Sequence, residues 1–192
     1  MNTALLLIDL QNDYFPGGRN PLEETEAAVR QARRLLEGSR RGGLPVVHMQ
    51  HLSLDPSATF FLPKTDGIRI HPEVQPLPAE TVIQKHFANS FRDTALLEHL
   101  QKLRIERLVI AGMMTHMCID ATTRAAYDYD FECWVAQDAC TTKTLPFDSQ
   151  LVPAAYVQAA FLSALQTAYA RVRTVDDILA QPFMSQEPPL LD

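Results

Sequence analysis

Short apolar runs alternate with amphipathic segments along the 192-residue chain. A continuous apolar run that ends in a polar residue is typical of a strand buried on both faces. Such a run predicts the first strand, over residues 4–8. Further short segments predict five more strands, over residues 44–49, 81–85, 107–111, 131–136 and 171–173. Apolar residues at helical spacing predict five helices, over residues 22–41, 93–102, 117–128, 153–169 and 174–179.

Strands that alternate with helices require a parallel sheet with helices on both faces. We therefore expect an α/β fold, a three-layer α/β/α sandwich with a mainly parallel, six-stranded, Rossmann-like sheet. The length suits one domain over residues 1–192, with residues 183–192 as a loose C-terminal tail. Residues 51–80 form a long irregular segment with several prolines, and loops of that length in a compact domain are usually functional.

The charge pattern argues against several partners. The net charge is −6, from 17 basic and 23 acidic residues without a basic run, which argues against nucleic-acid binding. The first apolar run is short and ends in Asp9, so neither a signal peptide nor a membrane span is expected.

The chain has three cysteines, an odd number in a chain long enough to fold without disulfides. We interpret them as reduced thiols and expect a cytoplasmic protein.

Three reactive residues lie at or just past the ends of predicted strands. Asp9 closes the first strand, Lys85 closes the third, and Cys118 follows the fourth. Ligands of open parallel sheets bind beyond the carboxyl ends of the strands. Taken singly, each residue has a common structural explanation, namely a loop cap or ion pair for Asp9, a lysine at the rim for Lys85 and a buried thiol for Cys118. Together they supply a nucleophile, an acid that takes and returns its proton, and a cation that holds the acid.

Cys118 lies in a strand-to-helix turn, residues 112–118. The positive end of a helix dipole favours the thiolate, which is the nucleophilic form of cysteine. The first N–H groups of a helix have no helical partner, so they are free to stabilise an oxyanion. This position predicts a nucleophile whose thiolate is stabilised by the helix end.

The chain resembles the isochorismatase-like cysteine hydrolases, a group that includes nicotinamidases and N-carbamoylsarcosine amidases. Three segments carry the resemblance: residues 6–15 around Asp9, residues 83–91 around Lys85, and residues 112–119 around Cys118. The similarity extends over nearly the whole chain, from residue 4 to about residue 175. Three motifs in order at three strand ends are a specific signal, whereas the first motif alone is a weak one.

The resemblance implies a Cys–Asp–Lys triad. Asp9 deprotonates Cys118 and protonates the departing amine, Lys85 holds Asp9, and Cys118 forms a thioester that water hydrolyses. It also implies a cis peptide bond between Met113 and Met114, which directs the Met114 N–H towards the oxyanion together with that of Cys118. Proteins of this group commonly assemble, so a homodimer or homotetramer is expected.

Neither a metal nor a cofactor is expected. Nicotinamidases carry an Asp-x-His ligand motif after the second strand, and the matching stretch here begins with His51 and lacks that pattern. His48 and His51 are three apart on a strand, which directs their side chains to opposite faces.

Several residues near the strand ends are candidates for contact with a small amide-like substrate. For the loop phenylalanines, core packing is an equally good explanation. The candidates are Gln11, Phe15, His48, Phe60, Phe87 and Thr115.

Three functions fit this sequence. The first is a cysteine hydrolase that cleaves a C–N bond in a small amide, lactam or ureido compound. The second is an isochorismatase that cleaves a vinyl ether, a reaction that does not need the cysteine, so Cys118 argues against it. The third is a catalytically idle binding protein on the same fold, and the complete set of Asp9, Lys85 and Cys118 argues against that.

Overall fold

The computed structural model describes residues 1–184. The strands are β1 (Thr3–Ile8), β2 (Val46–His51), β3 (Thr81–Lys85), β4 (Arg107–Met113), β5 (Glu132–Thr141), β6 (Leu145–Phe147), β7 (Gln150–Val152) and β8 (Arg171–Arg173). The helices are α1 (Thr25–Arg41), α2 (Leu96–Lys102), α3 (Asp120–Asp128), α4 (Ala154–Ala168) and α5 (Val175–Leu179). All six predicted strands and all five predicted helices are therefore present; β3 and β8 have the predicted ends, and the ends of the others are shifted.

The main sheet has the strand order β3-β2-β1-β4-β5-β8. Every neighbouring pair in it is parallel. The chain starts at the centre of the sheet, builds outwards to β3 on one side, and then returns to add β4, β5 and β8 on the other. This arrangement confirms the predicted Rossmann-like fold. It brings the carboxyl ends of β1, β3 and β4 to the same edge.

Helices cover both faces of the sheet because its central strands are apolar on both sides. In β1, Leu5 and Leu7 belong to a core cluster that also contains residues of α1 and α5. Leu6 and Ile8 belong to a second cluster, with residues of α2, α3 and α4. Alternate residues of a strand point to opposite faces, so one continuous apolar run supplies both layers of core.

Several element ends differ from the predictions. The second strand ends at His51 rather than at residue 49, because β2 stays paired with β3 as far as the register pair His51 and Lys85. The fifth strand continues to Thr141, past an irregularity in its pairing with β4. It is followed by a short antiparallel hairpin of β6 and β7, which the sequence analysis did not predict.

The C-terminal segment packs further than expected. The predicted loose tail begins at residue 183, yet Met184 is buried and the ring of Phe183 lies 5.2 Å from that of Trp134, centroid to centroid. The rest of the predicted tail, residues 185–192, lies outside the described residues. Within residues 1–184, no helix is both long enough and apolar enough to cross a membrane.

Candidate active site

Asp9 is the first residue after β1 and is fully buried. Its φ of 52° lies in the left-handed region, which non-glycine residues seldom adopt. Its N–H donates a hydrogen bond of 3.1 Å to the carbonyl of Met49, the β2 residue that pairs with Ile8. The backbone therefore leaves the strand at Asp9 while the residue stays fastened to the neighbouring strand.

Lys85 ends β3, two strands away from β1, and its side chain is fully buried. Its Nζ lies 2.8 Å from Asp9 Oδ2. Burial lowers the pKa of the Lys85 ammonium, but the carboxylate of Asp9 and the thiol of Cys118 outweigh that effect, so the pKa is raised overall. Lys85 is therefore a buried cation that is paired with a buried carboxylate.

Cys118 lies on a π-helical turn, Thr115–Ile119, that connects β4 to α3. Its Sγ accepts a hydrogen bond of 3.2 Å from Lys85 Nζ. Burial raises the pKa of the Cys118 thiol strongly, and Asp9 raises it further, while Lys85 acts in the opposite direction. The expectation that the helix end stabilises a thiolate is therefore wrong for the resting state. Removal from water beside a carboxylate favours the protonated form, so the resting sulfur is a thiol.

The path of the chain into the π turn depends on Gly112. Its φ is +133°, a conformation that side chains rarely adopt, and a Cβ there would lie 1.9 Å from the carbonyl oxygen of Ile8. The peptide bond between Met113 and Met114 is cis. At Gly112 the chain passes so close to the end of β1 that a side chain does not fit there.

Two side chains at the start of the π turn fasten it to the end of β5. Thr115 Oγ1 donates a hydrogen bond of 3.2 Å to the carbonyl of Thr141. Nδ1 of His116 lies 2.5 Å from Thr142 Oγ1. Thr115, a candidate for substrate contact, is thus a fully buried residue that supports the turn of Cys118.

His51 joins the site, and it is one of the two histidines of β2 for which the sequence leaves substrate contact open. Lys85 Nζ donates to its Nδ1 at 3.1 Å. Burial lowers the pKa of His51, and the nearby Asp9 only partly opposes that effect. The signal in the sequence was its position, because the last residue of β2 reaches the same edge as Lys85.

Aromatic rings continue the site beyond His51. The centroid of the Phe61 ring lies 5.6 Å from that of His51 and 4.6 Å from that of Tyr14. Phe60 contacts both Tyr14 and Phe61. Burial raises the pKa of Tyr14, and Cys118 and Asp9 are the next causes, which places the phenol in the field of the proposed catalytic groups. Phe60 was among the candidates for substrate contact, whereas Tyr14 gave no signal of its own in the sequence.

Two of the other candidates have structural contacts close to the site. Gln11 is fully buried, and its amide nitrogen donates 2.9 Å hydrogen bonds to the carbonyls of His51 and Ile68. Its amide oxygen accepts from the N–H of His51 at 2.7 Å. Phe87 supplies a carbonyl that accepts from Lys85 Nζ at 3.0 Å, and its ring stacks under the guanidinium of Arg92.

Two further candidates are directed elsewhere. The buried ring of His48 lies 3.0 Å from a carboxylate oxygen of Glu80, on the opposite face from His51, as the spacing of the two histidines predicts. Phe15 is buried and its ring stacks on His71 with centroids 4.0 Å apart. His48 and Phe15 therefore leave the set of residues we consider for substrate contact.

One group of side chains at this edge has the composition of a metal site. Ligand atoms of Asp9, His51 and Cys118 lie within 4.8 Å of one another. Lys85 Nζ lies 2.8 Å, 3.1 Å and 3.2 Å from atoms of these three residues. The space between the three ligands therefore holds the ammonium of Lys85, a cation that belongs to the chain itself.

Comparisons with known proteins identify the family of this chain. The model of the isochorismatase domain matches residues 3–177. The chain is 48% identical over 179 residues to the uncharacterized isochorismatase family protein YddQ of Bacillus subtilis (strain 168), which covers 93% of this chain and 99% of that protein. It is 33% identical over 190 residues to a streptothricin hydrolase of Streptomyces noursei, which covers 97% of this chain and 66% of that protein.

The fold comparison leads to the same family. A crystal structure from Oleispira antarctica, assigned to the isochorismatase hydrolases, matches with a TM-score of 0.90 and 55% identity, over 94% of this chain and 97% of that chain. Other relatives are named nicotinamidase, in Arabidopsis thaliana, and N-carbamoylsarcosine amidase, in Thermoplasma acidophilum. The chain therefore belongs to the isochorismatase family, whose members are hydrolases and include amidases.

Proposed function

We propose that this protein is a cysteine hydrolase that cleaves a C–N bond of a small amide, lactam or ureido compound through a thioester. The observation that carries the proposal is the position of Lys85 Nζ, 2.8 Å from Asp9 Oδ2 and 3.2 Å from Cys118 Sγ. One buried ammonium thus holds together a carboxylate and a thiol. The names of the relatives streptothricin hydrolase, nicotinamidase and N-carbamoylsarcosine amidase support the same choice of reaction.

Acylation begins from a protonated sulfur. Because burial beside Asp9 raises the pKa of the Cys118 thiol, a base has to remove its proton as the sulfur attacks. Asp9 accepts that proton while the sulfur bonds to the substrate carbonyl carbon. As the C–N bond breaks, Asp9 returns the proton to the departing nitrogen. The products of this half-reaction are an amine or ammonia and a thioester on Cys118.

Deacylation uses the same groups in reverse. Asp9 takes a proton from water, and the oxygen of that water attacks the thioester carbon. The C–S bond then breaks and the sulfur recovers a proton. In both half-reactions we assign the oxyanion to the backbone N–H groups of Met114 and Cys118, in the turn after β4. Lys85 holds the side chains of Asp9 and Cys118 in position and offsets the negative charge that moves between them.

The test is a screen for ammonia release over small amides, lactams and ureido compounds. The proposal expects turnover by the wild-type protein and a loss of at least about 1000-fold for Cys118→Ser. Cys133→Ser is the matched control, because Cys133 is also a buried free thiol but lies in β5. Full turnover by Cys118→Ser would show that Cys118 is not the nucleophile. If the wild type and Cys118→Ser both cleave a vinyl ether, and neither releases ammonia from any amide, the isochorismatase reaction is favoured.

A homodimer or homotetramer in the cytoplasm is part of the same proposal. Large apolar side chains in and after the β6–β7 hairpin support assembly, since Phe147, Leu151 and Tyr156 are 75%, 72% and 69% exposed. Light scattering on the purified protein measures the oligomeric state directly. A monomer at micromolar concentration would contradict this part of the proposal.

A further inference from the structure

Four acceptors surround the ammonium of Lys85, which carries three hydrogens. They are the carboxylate of Asp9, the sulfur of Cys118, the carbonyl of Phe87 and Nδ1 of His51, at distances from 2.8 to 3.2 Å. Two of the four belong to the proposed chemistry. Phe87 contributes only backbone, so His51 is the one side chain in this shell without an assigned role.

The contact with Lys85 determines where the proton of His51 lies. An ammonium donates hydrogen bonds and accepts none, so Nδ1 of His51 must carry the lone pair. Burial lowers the pKa of His51, and the ring is neutral, with its proton on Nε2. Among residues 1–184, no group hydrogen-bonds to that Nε2, and the residue is partly exposed. Nε2–H is therefore an unpaired donor on a ring that lies between Lys85 and Phe61.

We propose that His51 has two roles in this site. Its Nδ1 positions the ammonium of Lys85 between Asp9 and Cys118, and its Nε2–H binds a hydrogen-bond acceptor of the substrate, such as a carbonyl oxygen or a ring nitrogen. The second role selects substrates that carry an acceptor besides the carbonyl that is attacked. This inference rests on the proposed cysteine hydrolase function.

The backbone of His51 is held firmly enough for both roles. Its N–H donates to the amide oxygen of Gln11 at 2.7 Å, and its carbonyl accepts from the amide nitrogen of Gln11 at 2.9 Å. Gln11 is fully buried, so these two bonds fix the end of β2 against the segment after β1. The side chain of His51 therefore starts from a fixed position.

Isosteric variants separate the two roles. An asparagine places an amide oxygen near the position of Nδ1, whereas a glutamine reaches the position of Nε2 with an N–H. His51→Asn should keep kcat within about threefold and raise KM about tenfold, the effect of one lost hydrogen bond. His51→Gln should keep KM and lower kcat about tenfold. His51→Leu should show both losses. His99→Asn, in α2, is the control that should change neither parameter.

A second readout does not require turnover. The rate at which iodoacetamide alkylates Cys118 reports how well Lys85 supports the thiolate. His51→Asn should alkylate at the wild-type rate, and His51→Leu several-fold more slowly. If His51→Leu matches the wild type in kcat, KM and alkylation, both roles are refuted. If His51→Asn and His51→Gln change the same one of kcat and KM to the same extent, His51 has only a structural role.

The proposed function and this inference fail in different experiments. Amide turnover that persists in Cys118→Ser overturns the proposed function. Alkylation still tests the contact between His51 and Lys85 in that case, because it needs only the thiol. Equal alkylation of the wild type and of His51→Leu refutes the positioning role even if the protein is an amidase.

Discussion

Replacing Lys85 with methionine removes the ammonium and keeps an unbranched side chain of similar size. The side chains of Lys85 and Asp9 are both 0% exposed, so solvent compensates the carboxylate only weakly once the ammonium is gone. Lys85 Nζ, 2.8 Å from Oδ2, is the cation in contact with that carboxylate. The ion pair with Lys85 is therefore the main compensation for the buried charge of Asp9.

The cost of this substitution follows from the burial of the pair. Removal of one partner of a buried ion pair typically lowers the free energy of unfolding by about 3–5 kcal/mol, because the other charge stays uncompensated. That is a large part of the roughly 5–15 kcal/mol by which domains are stable. Replacing both partners with uncharged residues of similar volume is often close to neutral. Asp9→Asn combined with Lys85→Met should therefore recover most of the stability that Lys85→Met alone loses.

Urea unfolding of four proteins measures this coupling: the wild type, Lys85→Met, Asp9→Asn and the double variant. We expect each single variant to be clearly less stable than the double variant, while all three lose at least about 100-fold in amide turnover. Stability and activity are thereby separated, since the double variant is folded but inactive. If Lys85→Met unfolds within about 1 kcal/mol of the wild type, Lys85 is not the compensating charge and the reasoning fails.

Two other substitutions test the supports of the site. Gly112→Ala should lower the free energy of unfolding by more than about 2 kcal/mol, because its Cβ would lie 1.9 Å from a carbonyl oxygen of β1. Gly43→Ala is its control, since φ is also positive there but nothing lies within 4 Å, and equal losses in thermal unfolding would contradict the steric argument. Burial opposes ionisation of Glu80, but hydrogen bonds from Arg40, a backbone N–H and His48 outweigh it and lower its pKa to about 2. The resulting stability, roughly 2–3 kcal/mol, is present above pH 4.5 and is lost as the pH falls towards 2, so Glu80→Gln should be less stable at pH 7 and should flatten that acid loss. An unchanged acid loss in urea unfolding would refute this.

The fold was predictable because its central strands, β1 and β4, are buried on both faces. In β1, consecutive apolar residues serve two different core clusters, so the run has neither the alternation of a half-exposed strand nor the spacing of a helix. The β6–β7 hairpin gave no such signal. Its strands have three residues each, and Phe147 and Leu151 are apolar but exposed, so burial does not impose a pattern on them.

Site residues of one kind were predictable, namely reactive residues at the end of a strand. Residues of a second kind were not predictable, because their side-chain positions depend on packing between distant segments. Asp9 and Lys85 belong to the first kind, because parallel strands bring their carboxyl ends to one edge. Tyr14 and Phe61 belong to the second, since their contact joins the segment after β1 to the long loop before β3. No local pattern in either segment specifies the other.

The resting state of Cys118 shows how a correct local argument reached the wrong result. A helix N-terminus lowers the pKa of a thiol through a partial positive charge. Burial raises the pKa of the Cys118 thiol because it removes solvent from the sulfur, and the nearby Asp9 carboxylate raises it further. The larger effect keeps the proton on sulfur. A nucleophile in that state needs a base at the moment of attack, and in the proposed reaction Asp9, 2.8 Å from Lys85 Nζ, is that base. The protonation of Cys118 therefore makes the pairing of Asp9 with Lys85 a requirement of the proposed reaction, beyond its contribution to the stability of the fold.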